Sequence, residues 1–165
     1  MEENQTLMEE LQFKRHFQEW MVETVPVGIK LLHKDATPPY YARPGDAGFD
    51  LIAIEDTVIP MECVKRVPLG IALEIPPGYE VQIRPRSGKT LQWGNYISNS
   101  PGTIDSSFRG EVCLLIHAPF RPIFIKKGDA IAQGLLKRAP IAKFFLMDIL
   151  SQTERGEGGF GSTGR

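Results

Sequence analysis

The sequence predicts an all-β domain of the sandwich, jelly-roll or barrel type, preceded by one N-terminal helix. From Ile29 onward, frequent prolines and glycines divide the chain into short runs rich in Val, Ile and Leu. Short apolar runs bounded by turn residues are typical of strands in all-β domains. Strand-like runs do not alternate with helical patterns, which argues against a doubly wound α/β fold. The length of 165 residues suits a single domain, and a hydrophobic content of 42% is enough to build a core.

The helical pattern lies in residues 2 to about 24. Its polar side chains fall opposite one broad apolar face, as in an amphipathic helix. Pro26 and Gly28 are expected to end it. The residues of the apolar face are Leu7, Leu11, Phe13, Phe17, Trp20 and Met21. We expect residues 1–28 to form a helical extension that packs on the protein's own assembly, with an unidentified partner as the alternative.

Nine runs are predicted to be strands, and the turn-forming sequences between them set their limits. The turns include Pro76–Gly78 and Lys127–Asp129. The predicted strands are Gly28–Leu32, Phe49–Ala53, Cys63–Pro68, Ile71–Glu74, Tyr79–Arg84, Glu111–Ala118, Ile123–Ile125, Ala130–Lys137 and Lys143–Leu146. We therefore expect a β-domain over residues 29–150 and a glycine-rich C-terminal tail over residues 151–165.

Composition and charge argue against several functional classes. A net charge of −1 provides no overall field for binding nucleic acid or an anionic membrane. No apolar run is long enough to span a bilayer, and the acidic N-terminal stretch lacks the apolar core of a secretory signal. Two cysteines do not suggest a disulfide framework, so we expect a cytoplasmic protein. The three histidines are scattered, which argues against a metal site built from protein ligands alone.

The C-terminal residues 155–165 have a composition suited to binding a nucleotide. They contain five glycines, one phenylalanine, two hydroxyl side chains and an arginine at each end. Backbone N–H groups, hydroxyls and guanidinium groups bind phosphate oxygens, and an aromatic ring stacks on a base. A disordered end is the competing interpretation.

Three internal segments also carry chemical signals. Pro85–Gly88 combines a cation, a hydroxyl and a flexible backbone, which suits a phosphate cradle or an ordinary β-turn. Residues 99–111 predict a hairpin around Asp105, an acid suited to orienting a water or to capping a turn. Asp50 lies within an apolar run, where a carboxylate needs a structural partner or a hydrated cation.

Taken in order, these segments resemble the five sequence motifs of the trimeric dUTPase family. The resemblance extends from about residue 29 to residue 164, and five motifs in sequence with ordinary spacing form a highly specific pattern. The matching stretches are residues 47–51, 85–88, 102–111, 128–133 and 155–164.

The resemblance implies both a fold and a reaction. The implied fold is a distorted jelly-roll or β-clip barrel, assembled as a homotrimer with active sites shared between subunits. The tail of one chain would close a site built by the others. The implied reaction is Mg²⁺-assisted hydrolysis of dUTP to dUMP and pyrophosphate.

The resemblance also implies a role for each matching residue. Asp105 would activate the attacking water, and Asp50 would reach the metal through a water. The remaining residues would bind the substrate. Arg86, Ser87 and Gly88 would contact the triphosphate; Gln133 the phosphate or the water; Asn99, Gly102, Thr103 and Ile104 the uracil edge; Phe108 the sugar; Phe160 and Gly161 the base; and Arg155, Ser162 and Thr163 the terminal phosphates.

Three positions depart from the family pattern. Phe108 stands where tyrosine is common, so the ring is kept and the phenol oxygen is lost. Ser107 replaces a common second acid, and Ala130 replaces a frequent arginine. These departures bear on sugar selection and on the salt links around the site, whereas the catalytic set is retained.

Two other functions remain as alternatives. A dCTP deaminase, or a bifunctional deaminase and dUTPase, would need a general base beside the pyrimidine C4. Asp105 and Glu111 are the acids available in the predicted hairpin. A regulatory binding protein on the same scaffold is the other alternative, suggested by the helix over residues 2–24.

Overall fold

A computed structural model describes residues 23–159, which form ten strands and one short helix. The predicted N-terminal helix lies outside the described residues except for its last two positions. The strands are β1 (Gly28–Leu31), β2 (Phe49–Ile52), β3 (Thr57–Ile59), β4 (Val64–Pro68), β5 (Ile71–Glu74), β6 (Tyr79–Arg84), β7 (Gly102–Asp105), β8 (Cys113–His117), β9 (Ile123–Ile125) and β10 (Ala130–Arg138), and the helix is α1 (Ser87–Trp93). Within this range no helix is long and apolar enough to cross a membrane.

All strand pairs are antiparallel, and they form four small sheets. The largest has the order β2-β10-β6-β7, and the others pair β1 with β5, β3 with β9 and β4 with β8. Most neighbours in space are distant in sequence, so the chain crosses repeatedly between sheets, as it does in jelly-roll folds. The mostly-β architecture predicted from the sequence is confirmed.

One hydrophobic core fills the space between the sheets. It is built largely from Ile, Leu and Val side chains, among them Ile59, Ile71 and Ile131, each 1% exposed or less. Trp93 and Tyr96 extend the core at the end of α1. Their rings meet edge-on, with centroids 5.1 Å apart. The connection after α1 is therefore anchored by two aromatic side chains at the end of β6.

The four-stranded sheet has a buried face and a polar face, because buried apolar and half-buried polar side chains alternate along β6. Val81 and Ile83 are buried, whereas Glu80, Gln82 and Arg84 are only half-buried. Arg84 Nη2 donates to Gln82 Oε1 at 2.6 Å, and Gln82 Nε2 donates to Glu80 Oε1 at 2.7 Å. This hydrogen-bonded row marks the polar face on which the candidate site lies.

The predicted strand Lys143–Leu146 is wrong. Residues 139–159 contain no helix or strand, and the apolar side chains of residues 141–150 are exposed, including those of Ile141, Phe144 and Leu146. A β-strand exists only when its backbone groups pair with a neighbouring edge. Among the described residues, no strand pairs with this segment.

The predicted hairpin over residues 99–111 is also wrong. β7 pairs with β6, whereas β8 pairs with β4, so the two flanks of the loop enter different sheets. Val112 N donates to the Ile71 carbonyl at 2.8 Å and directs the chain toward the second sheet. Local turn chemistry gave no sign of this separation, because it depends on the distant strands β4 and β6.

Candidate active site

An open depression of about 390 Å³ lies at the margin of the polar face. It combines residues from three segments that are far apart in the sequence. β2 and the loop before it contribute one wall, the β6–α1 junction contributes the second, and β10 contributes the third. The residues used below are Asp46, Gly48, Asp50, Arg86, Ser87 and Gln133. The fold thus brings together three of the predicted site segments.

Asp50 and Arg86 form an ion pair in this depression. Arg86 Nε lies 3.3 Å from Asp50 Oδ1, and Arg86 Nη1 donates to the Ala130 carbonyl at 3.0 Å. The Asp50 side chain is only 12% exposed, so its charge needs such a partner. Of the two interpretations of Asp50, the structure shows the structural pairing. The pair also holds the guanidinium at the wall of the depression before any anion arrives.

Gln133 is fixed between the other two walls. Its Nε2 donates to the Pro85 carbonyl at 2.8 Å. A Cβ atom at Gly48 would lie 2.4 Å from Gln133 Oε1, which is closer than real Cβ contacts allow. A side chain at Gly48 would therefore displace the Gln133 amide from its observed position. The amide of Gln133 links the β2 wall to the β6–α1 junction.

Tyr96 is a residue of the site that the sequence did not reveal. Its hydroxyl donates to the Ile131 carbonyl at 2.8 Å and accepts from Arg86 N at 2.9 Å. The side chain is fully buried, and burial raises the pKa of Tyr96, although the bond from Arg86 N and the charge of Arg86 oppose that shift. A buried tyrosine usually needs a hydrogen-bond partner, and here the two partners are main-chain groups of distant segments.

Ser87 and Gly88 begin α1, where the sequence predicted a turn. Open space surrounds Gly88, since a Cβ placed there would meet no atom within 4 Å. Lys89 Nζ lies 3.4 Å from Asp129 Oδ2 and 4.5 Å from the centroid of the Trp93 ring. Lys89 is therefore a second cation near this site, in addition to Arg86. It pairs with Asp129, the residue that precedes Ala130.

Residues 99–105 bring the predicted uracil-reading residues together. Asn99 Nδ2 lies 3.2 Å from the position that a Cβ would take at Gly102, so the amide covers the glycine. Gly102 is buried, Thr103 is exposed and Ile104 packs on the core. This segment thus places the Asn99 side-chain amide directly beside Gly102.

Asp105 lies apart from the depression. It is exposed and stands opposite Glu80 on β6, whereas Gln133 stands opposite Arg84. Cross-strand partners point to the same face, so Asp105 and Gln133 share the polar face. They are separated by four residues along the strands and two strands across, roughly 16 Å from strand geometry. One chain therefore does not bring Asp105 to Arg86 and Ser87.

The loop after Asp105 is closed by its own side chains. The Phe108 ring folds over Gly110, whose Cβ position would lie 2.6 Å from the ring. Arg109 Nη1 donates to the carbonyls of Ser106 at 2.6 Å and Phe108 at 3.0 Å. Phe108 nevertheless remains 42% exposed.

Arg155 does not line the depression. Its Nε donates to the Gly158 carbonyl at 2.8 Å, and Gly156 N donates to Thr153 Oγ1 at 3.1 Å, so residues 153–158 form a local turn. The other predicted tail residues, Phe160, Gly161, Ser162 and Thr163, lie outside the described residues.

Comparison with known proteins gives the family. Residues 34–164 match the family model described as dUTPase. The chain belongs to the dUTPase family. It is therefore an enzyme of the dUTP diphosphatase class, and the resemblance seen in the sequence is confirmed.

Curated relatives are similar over most of their length. The deoxyuridine 5'-triphosphate nucleotidohydrolase of Clostridium kluyveri is 47% identical over 82% of this chain and 96% of that protein. The enzyme of the same name from Wolinella succinogenes is 45% identical over 88% of this chain and 99% of that protein. The structure of the Staphylococcus bacteriophage 80alpha dUTPase with dUpNHpp has a TM-score of 0.78 at 25% identity, and the match covers 86% of this chain and 100% of that one.

Proposed function

We propose that this dUTPase hydrolyses dUTP to dUMP and pyrophosphate, through attack of an Asp105-activated water on the α-phosphorus. The observation that carries the proposal is the depression itself. It gathers a held arginine, a hydroxyl and an amide, which are the donors that bind phosphate oxygens well. Phosphoryl transfer depends mainly on positioning and charge neutralisation, and these donors supply both.

The depression would hold the triphosphate. Arg86 keeps N–H groups beyond those bonded to Asp50 and Ala130, Ser87 contributes a hydroxyl, and Gly88 leaves the backbone open to a ligand. Gln133 would bind a phosphate or the water through the part of its amide not used by Pro85. These roles would hold the triphosphate between the β6–α1 junction and β10.

Residues 99–104 would read the base. The Asn99 amide and the main chain of residues 102–104 offer donors and acceptors to the uracil edge. A mismatched base would leave such groups unpaired, which penalises binding strongly. Phe108 would lie under the deoxyribose and exclude a 2'-hydroxyl by contact alone, because phenylalanine has no phenol oxygen.

Asp105 would act as the general base. Its carboxylate would accept a hydrogen bond from the water and take its proton as the oxygen attacks the α-phosphorus. The bond between the α-phosphorus and the oxygen bridging to the β-phosphate then breaks, and pyrophosphate leaves. Exposure of Asp105 in the single chain leaves it free to face a substrate.

We propose further that the site is completed in a homotrimer. The separation of roughly 16 Å between Asp105 and Gln133 supports a site that uses the phosphate wall of one subunit and the Asp105 segment of another. The exposed apolar residues 141–150 support the same assembly, since a contiguous apolar stretch of this kind marks an interaction surface. The tail, including Arg155 and Phe160, would close a site built by neighbouring subunits.

Mg²⁺ would assist the reaction, with the substrate supplying most of its ligands. Within residues 23–159 no three acidic, histidine or cysteine side chains cluster as a metal site. The depression nonetheless offers hard oxygen donors from Asp46, Asp50 and Gln133, and Mg²⁺ prefers phosphate and water oxygens alongside few carboxylates. Asp50 would reach the ion through a water. When bound, the ion would neutralise charge on the phosphates.

The deaminase alternative has less support from the structure. Glu111 Oε1 accepts a hydrogen bond from Gly70 N at 3.0 Å, so this acid is already used to hold the β4–β5 turn. Asp105 is then the one acid of residues 99–111 left for chemistry at a substrate. No contact of the described residues favours the regulatory alternative.

A cytoplasmic location is proposed from cysteine chemistry. Cys63 and Cys113 are both free thiols in the structure, and free thiols persist in reducing compartments. Burial raises the pKa of the Cys113 thiol, which keeps it protonated and unreactive near neutral pH.

The decisive experiment is a nucleotide panel. Purified protein with Mg²⁺ is given dUTP, dCTP, dTTP, dATP and dGTP separately, and pyrophosphate and ammonia are both followed. We expect pyrophosphate release from dUTP in strong preference to the others. Ammonia from dCTP would establish the deaminase alternative, and equal turnover of all five would sink the proposed specificity.

A further inference from the structure

We propose that Tyr96 is a positioning residue for phosphate binding, holding the main chain of Arg86 against strand β10. This inference rests on the proposed function, because it assigns a role within the same site. Tyr96 lies outside every segment that carried the family resemblance. Its hydroxyl nevertheless joins two of those segments, through Arg86 N and the Ile131 carbonyl.

The bonds around the β6–α1 junction show what Tyr96 contributes. Gln133 holds the Pro85 carbonyl, and the Arg86 side chain holds the Ala130 carbonyl. The Arg86 carbonyl accepts bonds from Thr90 N and Thr90 Oγ1 within α1, whereas the bond from Arg86 N to Tyr96 Oη ties the Arg86 main chain to the body of the domain. Tyr96 therefore helps to set the position from which the guanidinium and Ser87 project.

The ring of Tyr96 is held in one place, so its hydroxyl can fix the position of Arg86 N. It is fully buried, and Trp93 packs edge-on against it with ring centroids 5.1 Å apart. The hydroxyl is saturated by one donated and one accepted bond, so it has no freedom to rotate away. Phenylalanine would keep the ring and lose both bonds, which isolates the role of one oxygen atom.

Removal of the Tyr96 hydroxyl should weaken ligand binding more as the number of phosphates in the ligand rises. Without the Tyr96 hydroxyl, Arg86 and Ser87 are less well placed, so ligands with a triphosphate suffer most. Ligands bound mainly through the base and sugar depend on residues 99–104 and Phe108, which Tyr96 does not contact through its hydroxyl. The ratio of the two affinities thus reports positioning, whereas general destabilisation would weaken both alike.

The test compares Tyr96→Phe with Tyr79→Phe. Tyr79 is a matched control because its hydroxyl also donates a hydrogen bond, to Glu23 Oε1 at 2.9 Å, but on the surface. Wild-type turnover of dUTP is measured first, so failure of the proposed function is seen separately. Binding of dUpNHpp and of dUMP is then measured for all three proteins, together with kcat and KM for dUTP.

We expect Tyr96→Phe to weaken dUpNHpp binding and to lower kcat/KM roughly tenfold, the scale of one lost hydrogen bond. Binding of dUMP should change about twofold or less on the same scale, and Tyr79→Phe should match the wild type. Hydrogen exchange of the Arg86 amide should accelerate while that of Val81 is unchanged. Equal losses for dUpNHpp and dUMP, or unchanged exchange at Arg86, would overturn the proposal.

Discussion

The depression and the Asp105 segment lie on the same sheet face, but they differ in how firmly other segments of the chain hold their functional side chains. In the depression, Asp50, Arg86 and Gln133 are each held by neighbours from another segment of the same chain. Asp105 is exposed, and the loop after it is closed by bonds among its own residues and by the ion pair of Arg109 with Glu74, 3.7 Å apart. Under the proposed mechanism, one chain pre-organises phosphate binding, whereas the proposed catalytic base would need the surface of a partner subunit.

The largest loss of activity should come from a substitution in the Asp105 segment. Asp105→Asn removes the general base but keeps the size and much of the polarity of the side chain. We expect kcat to fall by about a thousandfold, within the range attributed to general-base catalysis, with dUpNHpp binding retained. Asp56→Asn is the control, since Asp56 pairs with Lys126 on the surface away from the site. A near-normal rate for Asp105→Asn would remove Asp105 from the mechanism.

Mixing two inactive variants tests whether the two regions belong to different subunits. Asp105→Asn and Arg86→Ala chains are co-expressed with different tags, and the mixed oligomers are isolated. If sites are shared, about one in three sites of each isolated mixed trimer regains both intact residues, because such a trimer holds two chains of one variant and one of the other. Activity in the mixed oligomers should then rise far above that of either variant alone. Oligomers with no regained activity would show that each chain builds its own site.

Removing the tail is expected to have the next largest effect. Truncation after Thr153 deletes Arg155 and Phe160 but leaves every strand and the depression. We expect the proposed trimer to remain intact by analytical ultracentrifugation and kcat/KM to fall about a hundredfold, because the groups proposed to close the site over the substrate are lost. Normal turnover by the truncated protein would show that residues 154–165 have no part in catalysis.

The smallest loss of activity is expected from substitutions at two glycines of the depression, Gly48 and Gly88. Gly48→Ala would force Gln133 away from Pro85, since the new Cβ would lie 2.4 Å from Gln133 Oε1. We expect kcat/KM to fall roughly tenfold, the scale of one lost hydrogen bond. Gly88→Ala meets open space and should cost less than Gly48→Ala. The reverse order would contradict the fixed geometry assigned to the depression.

The same contrast explains what the sequence was able to predict. Most strands were predicted within a residue or two because turn residues and apolar runs are local signals. The site residues in the depression were found through motifs, which do not require knowledge of distances. The partnership of Asp50 with Arg86 was open at that stage, since it depends on how β2 meets the β6–α1 junction.

The errors share a physical cause. Lys143–Leu146 has the composition of a strand, but no strand of the described part of the chain pairs with it. α1 was missed because Gly88 and Thr90 are weak helix formers, and its stability comes from packing Trp93 into the core. Tyr96 was missed because its role depends on hydrogen bonds to two main-chain groups, at Arg86 and Ile131, which come together only in the folded chain.

The packing of Trp93 has an optical consequence. Its indole is nearly buried, lies edge-on to Tyr96 and carries the Lys89 ammonium over its ring at 4.5 Å. The emission of an indole responds to a nearby charge, so movement of the β6–α1 junction should change the fluorescence of this residue. The chain has one other tryptophan, Trp20. Replacing Trp20 with phenylalanine would therefore make Trp93 a single intrinsic probe of phosphate binding that needs no added label.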